Sequence, residues 1–184
     1  MYRNVVKPTL DFIIALILLC ILWPVIILVV ILTAIDLGTP IYNRLRLREG
    51  KNKKTFLMYK IRTKTLPNKK NNYTEEYTKI SKIIDRLRLN ELPQLFNILK
   101  GDMSIVGPRP FIPGDKLPEG EIDPKRYKVR PGLTGLAQVN GGRAITHKQK
   151  LQYDVVYYDN MSFWLDLKIV LKTIVQIIFR VLDK

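Results

Sequence analysis

From Phe12 to Ile35 the chain reads FIIALILLCILWPVIILVVILTAI, and no charged residue lies between Asp11 and Asp36. Such a run predicts a membrane helix, because about 20 apolar residues are enough to cross a hydrocarbon core of about 30 Å. It is too long for a cleavable leader, and no small-residue cleavage site precedes a polar start. Pro24 divides it, removing a backbone donor and pressing its ring on the carbonyl of Cys20. Each half, Phe12 to Trp23 and Pro24 to Ile35, makes about 18 Å of helix, which enters a bilayer and returns but does not cross it. Arg3 and Lys7 precede the run, and Arg44, Arg46, Arg48, Lys51, Lys53 and Lys54 follow it. Basic flanks favour the cytoplasmic side, so both ends are expected there. Residues 1–38 therefore read as a re-entrant helix-break-helix hairpin broken at Pro24, with a kinked spanning helix as the alternative.

A second periodic segment closes the chain. In LDLKIVLKTIVQIIFRVLDK, the residues Lys168, Lys172, Gln176, Arg180 and Lys184 recur at four-residue intervals, with apolar residues filling most other positions. A narrow polar stripe predicts a helix lying along a membrane surface, and Phe163 and Trp164 before it suit the headgroup zone. A core helix with one wet edge is the competing reading.

The stretch between is mixed. PIYNRLR (40–46) and TFLMYKI (55–61) read as a strand pair around the polar REGKNKK. Residues 64–80 read as a loop leading into a helix. ELPQLFNIL has helical spacing, with Asn90 placed to cap it and Pro93 in its first turn. Glycines and prolines from 101 to 135 exclude long helices there, and Thr146 can cap a helix running to about Tyr157. The expected fold is a helix-rich α/β domain over 39–184, which is the catalytic domain and ends in the surface helix.

Composition narrows the chemistry. A chain of 184 residues suits one domain plus an anchor. Thirty-one Lys and Arg against 16 Asp and Glu give +15, a field that attracts phosphorylated ligands, anionic membrane lipid or nucleic acid. The positive residues gather beside the apolar segments and no helix-turn-helix, finger or RNA-binding pattern occurs, so nucleic acid is the remote alternative. With Cys20 and His147 each the sole residue of its type, no intramolecular disulfide or histidine metal cluster forms, and any metal is oxygen-bound.

Two motifs can hold phosphate. Gly107-Pro108-Arg109-Pro110 presents a guanidinium on a stiff backbone, either for a forked phosphate contact or for a carboxylate such as Asp102. VRPGLTGLAQVNGGR (129–143) combines glycines that allow close backbone approach with Gln138, Asn140 and Arg143 as donors, unless it is an ordinary turn-rich connection.

Taken together, ELPQLFNILKGDMSIVGPRP, VRPGLTGLAQVNG and YDVVYYDNMSFWLDLKI resemble the bacterial sugar transferase family, the monotopic phosphoglycosyl transferases, over nearly the whole chain. The resemblance implies a re-entrant N-terminal helix, a cytosolic α/β domain at the bacterial cytoplasmic (inner) membrane and dependence on Mg²⁺. It also implies a two-step transfer of sugar 1-phosphate from a UDP-sugar to a polyprenyl (undecaprenyl) phosphate, with release of UMP. The family carries an Asp-Glu pair directly before Leu-Pro-Gln, the Asp being nucleophile and metal ligand. Here the pair is Asn90-Glu91. An amide is no nucleophile, so a covalent phosphosugar cannot form on residue 90. Asp85 stands where the family often has arginine. By matched positions, Asn90 and Glu91 are the catalytic and metal pair, while Arg62 and Arg109 hold phosphate. Gln138, Asn140 and Arg143 lie toward the nucleotide. A substrate-trapping or non-catalytic homologue is the alternative.

Overall fold

The computed structural model describes residues 1–38, 47–67, 74–114, 122–142 and 144–182. A π-helical turn, Tyr2–Val6, leads into α1, Lys7–Leu37. The strand pair follows as β1 (Leu47–Glu49) and β2 (Thr55–Leu57), antiparallel with Arg48 opposite Phe56. The first expected strand, 40–46, lies outside the described residues; pairing begins just beyond it. Next come α2 (Lys79–Arg86), a 3₁₀ turn (Leu89–Glu91) and α3 (Gln94–Leu99). Strand β3 (Ser104–Val106) pairs in parallel with β4 (Gly132–Thr134), and the short α4 (Leu136–Val139), α5 (His147–Asn160) and α6 (Phe163–Leu182) complete the chain. The domain is helix-rich α/β, as expected.

Capping explains two of the helix starts. The Thr78 hydroxyl accepts from Ser81 N while the Ser81 hydroxyl accepts from Thr78 N, and Thr146 and Gln149 repeat this reciprocal pair at α5. Asn90 does not cap a helix. Residues 89–91 wind as a 3₁₀ turn, α3 starts after Pro93, and the Asn90 side chain turns inward. Proline fits there because the first helical amides need no intrahelical partner.

Helix α1 is one helix with Pro24 in its interior, where two separated halves were expected. Proline removes a single hydrogen bond, and the turns on either side retain theirs. With Tyr2–Val6 it is, among the described residues, the one helix long and apolar enough to cross a membrane. Yet a single stripe of it faces the domain. Lys7, Asp11, Ala15, Val29 and Thr33 are buried, and the half-buried Leu18, Leu22, Val25 and Asp36 fill the intervals at three- and four-residue spacing.

That stripe forms part of two cores. Ala15 packs with Phe56, Leu95, Ile98 and Met103, and Val29 packs with Ile61 and Ile84. Polar contacts fix each end. Near the start, the Asp11 carboxylate accepts from Ser104 Oγ (2.7 Å) and Ile105 N (3.2 Å), and Lys7 Nζ donates to Asp166 Oδ2 (2.8 Å). At the finish, the Thr78 hydroxyl donates to Asp36 and the Arg62 guanidinium donates to the Leu37 carbonyl. A third core, Val106, Val139, Tyr157 and Ile169, joins β3 to the last helices. The outer face of α6 is apolar and open, with Trp164 at 74 % exposure and Leu171, Ile178 and Phe179 more than half exposed. It is therefore not a core helix with one wet edge.

Candidate active site

The site forms where three segments meet: the strand-like stretch Lys60–Thr63, the turn Leu89–Glu91 that follows α2, and the loop Gly107–Pro110 that follows β3. Ile61 N donates to Asn90 O (2.9 Å), which locks the first two together. Arg88, just before the turn, has φ +60°, a left-handed conformation uncommon outside glycine. The reversal there aims its guanidinium at Glu91.

Glu91 Oε1 accepts from Lys60 Nζ (2.9 Å) and Arg88 Nη1 (3.0 Å). Burial pushes the Glu91 carboxyl up, but Lys60, Arg88 and, more weakly, Arg109 outweigh it and hold the pKa below the ordinary value. Glu91 is thus an anion that orders a cluster of cations. The influence of Arg109 shows that the GPRP loop lies near this cluster, and its side chain is exposed.

The backbone of that loop is held from two sides. Gly132 N donates to Pro108 O and Gly107 N to Thr134 O, both at 2.9 Å. This approach requires glycine, since a Cβ on Gly132 would sit 2.1 Å from Gly107 N. From the other side, the buried Arg126 donates to the Arg109 carbonyl, stacks on Phe111 (3.5 Å to the ring centroid) and pairs with Asp154 (2.8 Å). Burial pushes Asp154 up to about 6, and Arg126 pulls it back only in part.

Asn90 has no exposed surface. Its Nδ2 donates to Asp85 Oδ1 (2.9 Å) and lies 3.5 Å from Thr63 Oγ, and its Oδ1 has no partner among the described residues. Arg62 lies within the site segment, but its guanidinium caps α1 at Leu37 instead of entering the cluster. Gln138 donates to Leu133 O (3.3 Å), while Asn140 donates to Leu136 O (3.0 Å) and accepts from Lys172 (3.4 Å). The first bond holds Gln138 against β4, and the others place Asn140 between α4 and α6. Arg143 lies outside the described residues. Lys60, Thr63, Arg126 and Asp154 belong to the site's framework and carry no motif; they come from distant segments.

The two residues of the expected metal pair differ in their surroundings. Glu91 offers an oxygen already claimed by two cations, in surroundings that repel a dication. Asn90 offers one buried, unpartnered carbonyl oxygen. The pair thus offers one buried amide oxygen and a carboxylate whose Oε1 is engaged by Lys60 and Arg88.

The cationic cluster around Glu91 thus sits in a helix-rich α/β domain that carries a long apolar helix. The chain belongs to the bacterial sugar transferase family, which matches residues 2–180. It is 40% identical to EpsL of Bacillus subtilis (strain 168), named as an uncharacterized sugar transferase, over 95% of this chain and 88% of that one. It is 34% identical to the UDP-glucose:undecaprenyl-phosphate glucose-1-phosphate transferase of Xanthomonas campestris pv. campestris, covering 96% of this chain and 40% of the relative. With the UDP-N-acetylgalactosamine-undecaprenyl-phosphate N-acetylgalactosaminephosphotransferase of Aeromonas hydrophila it shares 35% identity, covering 92% and 43%. The chain thus spans most of EpsL but about two-fifths of the longer relatives.

Proposed function

We propose that this chain transfers a sugar 1-phosphate from a UDP-sugar to a polyprenyl phosphate and releases UMP, at the cytosolic face of the bacterial cytoplasmic membrane. The observation that carries this is the cationic cluster around Glu91, which lies against the domain face that holds α1. Lys60, Arg88 and Arg109 supply donors for a diphosphate. Glu91 keeps two of them in place, and Arg126 sets the backbone of the third. A bond forms between an acceptor phosphate oxygen and the sugar-bearing phosphorus, the bond to the UMP oxygen breaks, and the cluster neutralises the charge that departs with UMP. The exposed apolar faces of α1 and α6 suit a polyprenyl chain and the membrane, and Lys168 and Lys172 suit anionic headgroups.

Magnesium belongs to this reading: Asn90 Oδ1 would offer it one oxygen, and the ion would neutralise diphosphate charge. Residue 90 has no nucleophilic atom, and this favours one alternative: a homologue that binds the donor without turnover. Incubating the full chain with UDP-sugars, Mg²⁺ and undecaprenyl phosphate decides between them. UMP release is expected. Retained UDP-sugar binding with no UMP from any donor would establish the binding-only reading.

A further inference from the structure

We infer that the surface built by two 3₁₀ turns, Lys51–Lys53 and Pro124–Lys128, docks on anionic lipid headgroups. The inference rests on the proposed function only for the membrane at which the domain works. The two turns pack together although they come from distant parts of the chain. In the first, Asn52 (φ +57°) and Lys53 (φ +59°) are both left-handed, a conformation uncommon outside glycine. Lys53 Nζ lies over the Tyr127 ring of the second turn, 5.3 Å from its centroid, and the Tyr127 hydroxyl donates to Glu49 Oε2 (2.9 Å). At the end of that turn, Lys128 Nζ lies 6.0 Å from the Tyr158 centroid. The Arg3 guanidinium covers the same ring at 3.8 Å and donates to Tyr158 O (2.6 Å). Cations and tyrosines therefore run as one surface from the foot of α1 to the hairpin of β1 and β2.

The acids of this region are engaged. Asp159 pairs with Lys125 (2.9 Å) and Asp154 with the buried Arg126 (2.8 Å), Asp123 accepts from Lys125 N (2.8 Å), and Glu49 takes the Tyr127 hydroxyl. Lys51, Lys53, Lys54 and Lys128 are exposed and make no ion pair with the described residues. Like charges gathered on two packed turns repel one another, and an anionic surface opposite relieves that repulsion.

Position selects the anion. Arg3 precedes a helix whose outer face, from Phe12 onward, is exposed and apolar. Tyr158 leads through the end of α5 into Phe163 and Trp164, an exposed pair stacked edge to face. Aromatic side chains of this kind sit at headgroup level, which puts the neighbouring lysines at the depth of lipid phosphates. Ammonium groups on flexible stems suit many headgroups at once, whereas the forked guanidinium contacts that one diphosphate favours belong to the Glu91 cluster. Docking also bears on that cluster. Arg126, in the same turn as Lys128, donates to the Arg109 carbonyl, so a turn fixed on lipid steadies the phosphate loop.

The test uses the full chain in vesicles, with Cys20→Ser and a bimane attached to Thr55→Cys, an exposed position beside Lys54. The quencher is a lipid spin-labelled on its headgroup, present at the same fraction throughout. Because α1 anchors the chain whatever the lipid charge, quenching reports whether this surface meets the headgroups. With about 30% phosphatidylglycerol in phosphatidylcholine, quenching should be at least about twofold stronger than in phosphatidylcholine alone, and about 0.5 M salt should abolish the difference. Lys51→Gln, Lys53→Gln, Lys54→Gln and Lys128→Gln together should abolish it too, while Lys148→Gln, at the exposed start of α5, should leave it intact. Equal quenching in the two lipids, or a lipid effect that survives the four substitutions, would overturn the site. Loss of the effect on adding UDP alone would also overturn it, by assigning the lysines to the donor. UMP release in the same vesicles judges the transferase reading separately. Quenching that follows phosphatidylglycerol with no UMP from any UDP-sugar removes only the enzyme, and UMP release with quenching indifferent to phosphatidylglycerol removes only the docking surface.

Discussion

Asn90 illustrates how a single residue's role depends on a neighbour five positions away. As a family motif its position is a carboxylate, and restoring one by Asn90→Asp is the obvious repair. Contact with Asp85 makes the repair costly. The new carboxyl would be buried within about 3 Å of another, so its folded pKa would rise well above its unfolded value. The resulting penalty is present above that raised folded value and disappears as pH falls toward the ordinary carboxylate range. Asn90→Asp should therefore lower stability by about 1–3 kcal/mol at neutral pH, with recovery on acidification. Asp85→Asn in the same chain should relieve most of the loss. Thermal unfolding of the single and double variants between pH 5 and 8 measures both effects; a neutral-pH midpoint unchanged by Asn90→Asp would mean that the two side chains do not meet. Glu91 and Arg109 were legible in the sequence because each sits in a dense local motif. The roles of Lys60 and Thr63 were not, because both reach the site through tertiary contact alone. Asp85 was visible as a departure from pattern, but its partner was not.

Among the elements, those with local signals were the readable ones. Thr78 and Thr146 each start a helix through a capping pair that sequence spacing displays at α5. The start of α3 moved from Glu91 to Gln94, and the buried contact of Asn90 with Asp85 competes with the capping expected of it. The parallel pairing of β3 with β4 is only three residues long on each side, too short to leave an alternating pattern. Its importance lies in presenting the GPRP loop, with α5 supporting that loop through Asp154 and Arg126. Removing one member of this pair strands a buried charge, so Arg126→Met should cost about 3–5 kcal/mol. The double change Arg126→Met with Asp154→Leu should recover much of that stability, yet UMP release should stay impaired because the Arg109 carbonyl has lost its donor. Recovery of full turnover in the double variant would show that the loop holds its shape without Arg126.

For the whole molecule, the question is where α1 leaves the domain, and the contacts give a physical answer. A straight helix of 31 residues is about 46 Å long. If it spanned a bilayer, one end would lie a membrane's thickness from the domain that holds the other. Instead Lys7 and Asp11 bond to Asp166, Ser104 and Ile105, while Asp36 and Leu37 bond to Thr78 and Arg62. Separating either set would leave buried charges or a buried guanidinium unpaired, and each such loss costs several kcal/mol. The basic flanks seen in the sequence favour the same arrangement, and the stripe from Lys7 to Asp36 runs past Pro24 without changing face. End contacts, more than the proline, should therefore set topology. In a Cys20→Ser background, single cysteines at the exposed positions Asn4 and Lys51 should both resist a membrane-impermeant maleimide in intact cells and both react once the membrane is opened. The same pattern is expected with Pro24→Ala added. Labelling of Asn4→Cys from outside while Lys51→Cys stays protected would make α1 a spanning helix, and a switch to that pattern only in Pro24→Ala would return control of the topology to the proline.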